Sequence, residues 1–152
     1  MSLEAILPAK SFPGSLVTCE PGTSLHQASQ LMKKHNVGCL VVTEQGIPKG
    51  VITDRDICVR GLANEPAISL ADPVRLLMTS PVKTLSIKAG LQDAIRIMKE
   101  MQIRRLPLVD SSGRAVGIIT FSDVYTLLSN EIRDLNSIIT AESGFEFGKL
   151  VA

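Results

Sequence analysis

The chain has 152 residues, of which 45% are hydrophobic, 20% charged and only 3% aromatic, a composition typical of a globular protein with an aliphatic core. Sixteen Lys and Arg residues stand against fifteen Asp and Glu residues, so no net field draws the protein onto nucleic acid or an anionic membrane. No apolar run approaches the roughly 20 residues that span a bilayer, and the first residues lack the features of a signal peptide. We therefore expect a cytoplasmic protein.

The cysteines and histidines predict neither disulfides nor a metal site. Cys19, Cys39 and Cys58 have no metal-binding spacing and are not an even set, which favours a reducing compartment and a role as small buried apolar groups. His26 and His35 fall in one predicted helix without a third ligand nearby, so we expect them to have surface or packing roles.

One unit occurs twice in the chain, displaced by 66 or 67 positions. Segment 25–33 aligns with 91–99, and segment 50–57 aligns with 117–124 after a one-residue change in the intervening turn. In each unit, residues at three- and four-residue intervals predict one face of an amphipathic helix. The predicted faces are Leu25, Ala28, Leu31, Met32 and His35, and Leu91, Ala94, Ile95, Met98 and Met101.

A β-hairpin is predicted after this helix in each unit. Runs rich in β-forming residues at 37–43 and 103–109 are each followed by a turn rich in Gly, Pro or Ser, and then by a second run that ends at Thr53 or Thr120. A further helix is predicted directly after each hairpin, because Thr followed three residues later by Asp is typical of a helix start. With its opening strand, each unit is therefore predicted to be strand, helix, strand, strand, helix.

These elements divide the chain into five parts. The predicted parts are an N-terminal segment at 1–15, repeats at 16–64 and 80–128, a linker at 65–79, and a C-terminal helical extension and tail at 129–152. Within the linker, residues 72–78 are expected to form a short helix with Pro73 at its first position. An apolar stripe extends the last helix past the second repeat, and consists of Val124, Leu127, Leu128, Ile132, Leu135, Ile138 and Ile139.

The duplicated unit, closed each time by Gly-h-h-Thr-x-x-Asp with h apolar, resembles the CBS domain family, and segment 53–57 is similar to the version found in small stand-alone bacterial proteins. The resemblance covers roughly residues 16–128. It implies a tandem pair, or Bateman module, with an α+β (α/β) fold in which two βαββα repeats pack about a pseudo-twofold axis. It also implies a regulatory, ligand-sensing function in which AMP, ADP, ATP, NAD or S-adenosylmethionine binds in clefts between the repeats.

The two Thr-x-x-Asp motifs are the main candidate nucleotide contacts, Thr53 with Asp56 and Thr120 with Asp123. A helix N-terminus attracts phosphate through its unpaired N–H groups, and an ionised Asp accepts hydrogen bonds from ribose hydroxyls. The same residues also fit helix-capping boxes, and the two roles are compatible.

The segment containing Arg104, Arg105 and Pro107 resembles the family's basic stretch before a strand, whose side chains reach a phosphate. The equivalent positions of the first repeat begin with Gly38 and Cys39 and carry no cation, so the two clefts are expected to bind unequally.

Four other positions complete the candidate site. Ser122 is expected beside the second-repeat arginines and Arg55 at the other cleft, although arginines at such places are also commonly solvated. Thr18 and Thr84 match the positions where the family has a wall of the base pocket, but a strand threonine often has only a structural role.

The sequence offers no HExxH, GxSxG, Gly-rich phosphate loop or CxxC, so neither an enzyme nor a catalytic cofactor is predicted. The alternative to ligand sensing is a structural or partner-binding scaffold with empty or degenerate clefts. A homodimer through the apolar stripe of the last helix is expected, because pairs of this family commonly associate through their helices; the other interpretation is that the stripe folds back on its own repeat. A separate regulated protein is a further expected partner.

Overall fold

The computed structural model describes residues 3–6 and 16–143, and shows two α+β halves that each contain a three-stranded sheet. In both halves a short opening strand pairs parallel to the middle strand, which pairs antiparallel to the third. In chain order the elements are α1 (Leu3–Ile6), β1 (Thr18–Cys19), α2 (Leu25–His35), β2 (Cys39–Glu44), β3 (Ile47–Thr53), a π-helix (Asp56–Leu62), a 3₁₀ helix (Val74–Leu76), β4 (Leu85–Ser86), α3 (Leu91–Met101), β5 (Arg105–Val109), β6 (Ala115–Thr120) and α4 (Phe121–Ser143). The predicted α+β class and repeated element order are confirmed.

The middle strands begin two residues later than their sequence runs suggest. Val37 N donates to Met32 O at 3.0 Å, and Ile103 N donates to Met98 O at 3.1 Å. Because these bonds close the ends of α2 and α3, Val37 and Ile103 belong to the helix ends rather than to the strands.

Both of these helices end in a left-handed residue, Asn36 at φ 52° and Gln102 at φ 53°. Asn adopts this conformation readily, whereas Gln is strained there and glycine is not. We expect Gln102→Gly to raise the free energy of unfolding by about 0.5–1 kcal/mol in urea titrations, and the matched change Asn36→Gly to raise it less. A loss of stability in Gln102→Gly would mean that the bond from Gln102 Nε2 to Lys99 O outweighs the strain.

Met101 and Cys58 were expected to be buried but are exposed, and His35, for which a surface or packing role was expected, is exposed as well. His35 and Met101 occupy the last positions of α2 and α3, where the chain already turns towards the next strand. Cys58 lies on the outer side of the π-helix and is also exposed. The buried faces of α2 and α3 consist instead of Leu25, Ala28 and Met32, and of Ala94, Ile97 and Met98.

The first-repeat helix predicted after Thr53 is short and mostly π-helical, whereas α4 is long. Gly61 allows the linker to pack tightly against the π-helix, since a Cβ there would lie 2.8 Å from Leu77 Cδ1 and 2.9 Å from Ile68 Cγ2. The equivalent position in α4 is Leu128, which is exposed, and the helix continues past it. The linker thus limits the first helix at Leu62.

The segment before the first repeat completes the core of the second half, and the linker before the second repeat completes the core of the first half. In α1, Leu3 N donates to Ala89 O at 2.8 Å, and the Leu3 side chain is fully buried in the second-half core. In the linker, Val74 N donates to Thr23 O at 2.8 Å, and Val74 is fully buried in the first-half core. The predicted linker helix is therefore a single 3₁₀ turn that begins after Pro73, and part of the N-terminal segment belongs to the second core.

The apolar stripe of α4 does not fold back on its own repeat beyond its first turns. Val124 is buried and Leu127 packs against the second core, whereas Leu128, Ile132, Leu135 and Ile138 are exposed. The Ile139 side chain lies outside the described residues. No helix in the described part of the chain is long and apolar enough to cross a membrane.

Candidate functional site

Two adjoining pockets form a cleft with two lobes between the repeats, where β3 and β6 end. Both lobes have Arg105 and Thr120 in their walls. The lobe that we call apolar has a volume of about 230 Å³, and its other lining residues are Leu16, Val17, Val37, Gly38, Cys39, Val41 and Ile118. The lobe that we call polar has a volume of about 450 Å³, and its other lining residues are Thr53, Asp54, Arg55, Arg104, Phe121 and Ser122.

Gly38 allows the Asp54 side chain to approach closely on the first-repeat side of the cleft. A Cβ at this position would lie 2.9 Å from Asp54 Oδ2, and Asp54 N donates to Gly38 O at 3.2 Å. The equivalent residue of the second repeat is Arg104, which adds a cation to the polar lobe instead. The two halves of the cleft therefore differ in shape as well as in charge.

Each Thr-x-x-Asp motif forms a reciprocal capping box at its helix start. In the first repeat, Asp56 N donates to Thr53 Oγ1 at 3.0 Å, Thr53 N donates to Asp56 Oδ2 at 3.0 Å, and the Thr53 hydroxyl lies 2.7 Å from the same oxygen. In the second repeat, the corresponding distances between Thr120 and Asp123 are 3.2, 2.8 and 2.7 Å. The capping role is confirmed, and it fixes one oxygen of each carboxylate.

The second oxygen of each carboxylate distinguishes the two motifs. Asp56 Oδ1 accepts a hydrogen bond from Arg60 Nη1 at 3.3 Å, which is an i,i+4 ion pair. Within the described residues, Asp123 Oδ1 has no protein partner, and the residue equivalent to Arg60 is the apolar Leu127. The second motif thus leaves a carboxylate oxygen free to accept bonds from a ligand.

Three arginines line the polar lobe, and none of them pairs with a carboxylate among the described residues. Arg55, Arg104 and Arg105 are exposed, and in the part of the chain that the structure describes none of them forms a salt bridge. The sequence assigned Arg55 to a different cleft from Arg104 and Arg105. The structure places all three in one lobe, because the residues that follow β3 and those around the start of β5 face the same volume.

Several sequence-predicted positions do not line either lobe. Thr18 is exposed on β1, Thr84 precedes β4, and Pro107 is fully buried in β5. Asp56 and Asp123 also lie outside the two linings, each hydrogen-bonded to its threonine. The structure brings together Thr53, Arg55, Arg104, Arg105, Thr120 and Ser122.

Sequence reasoning missed most of the apolar lobe. Leu16 and Val17, rather than Thr18, form the wall contributed by the opening strand. The available signal was their place directly before β1, at the position where the resemblance expected a base pocket. Asp54 and Phe121, equivalent residues after Thr53 and Thr120, were missed as polar-lobe residues.

Cys39 is the thiol of the apolar lobe. Burial raises its pKa to about 11, and the charge of nearby Arg105 acts in the opposite direction. At neutral pH it is therefore a protonated thiol rather than a nucleophilic thiolate. Among the described residues, no group of three or more His, Cys, Asp or Glu side chains is arranged to hold a metal ion.

The model of the CBS domain matches two segments, residues 13–61 and 74–130. The chain belongs to the CBS domain family. The two matches make it a tandem CBS pair, and each contains one of the Thr-x-x-Asp capping boxes.

Relatives and solved structures agree with this assignment. The chain is 38% identical over 117 residues to the CBS domain-containing protein YhcV of Bacillus subtilis, covering 76% of this chain and 81% of that protein. Matches to three other relatives span 30% to 62% of their lengths. The fold is similar to the CBS domain pair of protein MJ0100 in complex with 5′-methylthioadenosine and S-adenosyl-L-methionine, with a TM-score of 0.72, 26% identity, and coverage of 86% of this chain and 98% of that one. It is also similar to CBSX2 in complex with AMP, with a TM-score of 0.68, 25% identity, and coverage of 87% and 98%.

Proposed function

We propose that this CBS pair is a regulatory module that binds an adenosyl ligand in the cleft between its repeats. The observation that carries the proposal is that an apolar lobe and a lobe with three unpaired arginines adjoin one another, with Arg105 and Thr120 in the walls of both. A flat, largely apolar base suits the first lobe, and phosphate oxygens suit the planar guanidinium groups of the second. A ribose between them would lie near Thr120, and we propose that its hydroxyls donate to the free oxygen of Asp123, which lies outside both linings and is hydrogen-bonded to Thr120.

The ligands of structural neighbours support this class of molecule. The MJ0100 pair is in complex with 5′-methylthioadenosine and S-adenosyl-L-methionine, and CBSX2 is in complex with AMP. All three ligands share an adenosyl group. AMP, ADP, ATP, NAD and S-adenosylmethionine are therefore the ligands that we propose to test on this chain.

We propose a binding role rather than a catalytic one. The cleft supplies arginines, hydroxyls and a carboxylate, which suit recognition, and its thiol Cys39 is protonated at neutral pH. We also propose a reducing compartment such as the cytoplasm, because the number and spacing of the three cysteines do not suit a disulfide framework. We further propose that the signal passes to a second copy of the chain, through the α4 stripe, and to a separate regulated protein.

The position of Cys39 allows a direct test of base binding in the apolar lobe. At pH 7.5 we expect iodoacetamide to modify exposed Cys58 first and Cys39 slowly, because burial holds the pKa of Cys39 at about 11. Saturating AMP or S-adenosylmethionine should slow modification of Cys39 severalfold further and leave Cys58 unchanged, as followed by peptide mass spectrometry.

Thermal unfolding supplies the second readout of this test. A ligand at 100 times its dissociation constant should stabilise the native state by about 2.7 kcal/mol. If none of the five ligands stabilises the protein or protects Cys39, the scaffold interpretation with empty clefts replaces this proposal.

A further inference from the structure

The polar lobe receives equivalent elements from both repeats. Thr53 and Arg55 come from the end of β3, and Thr120 comes from the end of β6. Arg104 and Arg105 add two more cations at the start of β5. These residues line one cavity of about 450 Å³.

The protein does not neutralise the positive charge in this cavity. The three guanidinium groups face the single carboxylate of Asp54, which leaves a net of two positive charges. Asp54 Oδ1 already accepts a bond from Arg55 N at 2.7 Å, and Asp54 Oδ2 lies over Gly38. Asp54 forms no ion pair with any of the three arginines, which therefore remain available to an anion.

We propose that the polar lobe is a single site for a short polyphosphate chain, shared by both repeats and occupied by one such chain at a time. This deepens the proposed function, on which it rests for the nucleoside part of the ligand. Two nucleotides that each carry several phosphates compete for the same arginines and repel one another there. A neutral nucleoside has no such competition, because it carries no phosphate that would occupy the arginines.

Inorganic tripolyphosphate tests the shared site without any nucleoside. Calorimetry at low salt is expected to give one tripolyphosphate per chain. Arg55→Gln and Arg105→Gln, which come from opposite repeats, should each weaken this one binding event at least tenfold, because a charge-assisted bond to phosphate is lost. Arg96→Gln is the matched control, since it removes the same charge from α3, where Arg96 pairs with Asp93 and Glu100; it should change the affinity less than twofold.

Two nucleoside ligands then separate this inference from the proposed function. ATP should displace tripolyphosphate at a ratio of one to one, whereas adenosine should bind in its presence with unchanged affinity. Binding of two tripolyphosphate molecules, an arginine variant that weakens only one of two events, or no tripolyphosphate binding at low salt would each overturn the shared site. If tripolyphosphate binds once but neither ATP nor adenosine binds, the shared site stands and the proposed function fails.

Discussion

AMP should bind about 10- to 100-fold more weakly to Asp123→Asn than to the parent protein, because charge-assisted hydrogen bonds contribute about 1.5–3 kcal/mol. The capping oxygen survives the change, since an Asn carbonyl can still accept from Thr120 N. The change removes the negative charge, and it replaces the free carboxylate oxygen with an NH2 group that cannot accept a hydrogen bond. Calorimetry with AMP and 2′-deoxy-AMP measures the effect, and the loss should be smaller for the deoxy ligand.

Asp56→Asn is the matched control, because it makes the same change in the same type of capping box. Its second oxygen already pairs with Arg60, so we expect Asp56→Asn to weaken AMP much less than Asp123→Asn does. Equal losses in the two variants, or equal losses for AMP and 2′-deoxy-AMP in Asp123→Asn, would contradict a ribose role specific to Asp123. Melting temperatures of both variants without ligand show whether the folds are intact.

The repeated fold could be predicted because it depends on local patterns that occur twice. Periodicity located α2 and α3, and the Thr-x-x-Asp spacing located the two capping boxes that end β3 and β6. These features arise from hydrogen bonds and burial within one repeat, so they leave a signature in the adjacent sequence.

Features that depend on contacts between distant segments could not be predicted. Nothing local to Leu3 or Val74 indicates that each completes the core of a repeat through a hydrogen-bonded exchange of segments. The close approach of the linker at Gly61, which limits the first helix, is equally long-range.

The candidate site likewise combines features that could be predicted from local sequence with features that depend on contacts between distant segments. Arg104 and Arg105 were found from their place before a strand, whereas their union with Arg55 in one lobe depends on how the two sheets meet. The difference between Asp56 and Asp123 follows from Arg60 and Leu127, one helical turn further along. That i,i+4 relation is visible in the sequence, and the ion pair could have been predicted from it.

The face of α4 has the properties expected of a contact with a second copy of the chain. Ile132, Leu135 and Ile138 are 59%, 60% and 56% exposed, which is unusual for three large apolar side chains on one helix. The stripe continues into an apolar groove of about 360 Å³ between α3 and α4, where Phe121 and Tyr125 stack with ring centroids 6.5 Å apart. A twofold pairing would bury the stripe and groove of both copies in one continuous contact.

The double change Ile132→Glu with Leu135→Glu should therefore convert a dimer into monomers. If each residue is central to the contact, its loss costs about 2 kcal/mol or more, and together the two weaken association on the order of a thousandfold. Light scattering at micromolar concentration should give the mass of two chains for the parent and of one chain for the variant.

Asn130→Glu with Arg133→Glu is the control. It changes exposed polar residues on the opposite face of α4, and should leave the dimer intact. Because all four side chains are exposed, neither variant should lose its fold, which circular dichroism would check. A parent protein with the mass of one chain would reject the dimer, and a dimer that persists in the double variant would show that the copies meet through another surface.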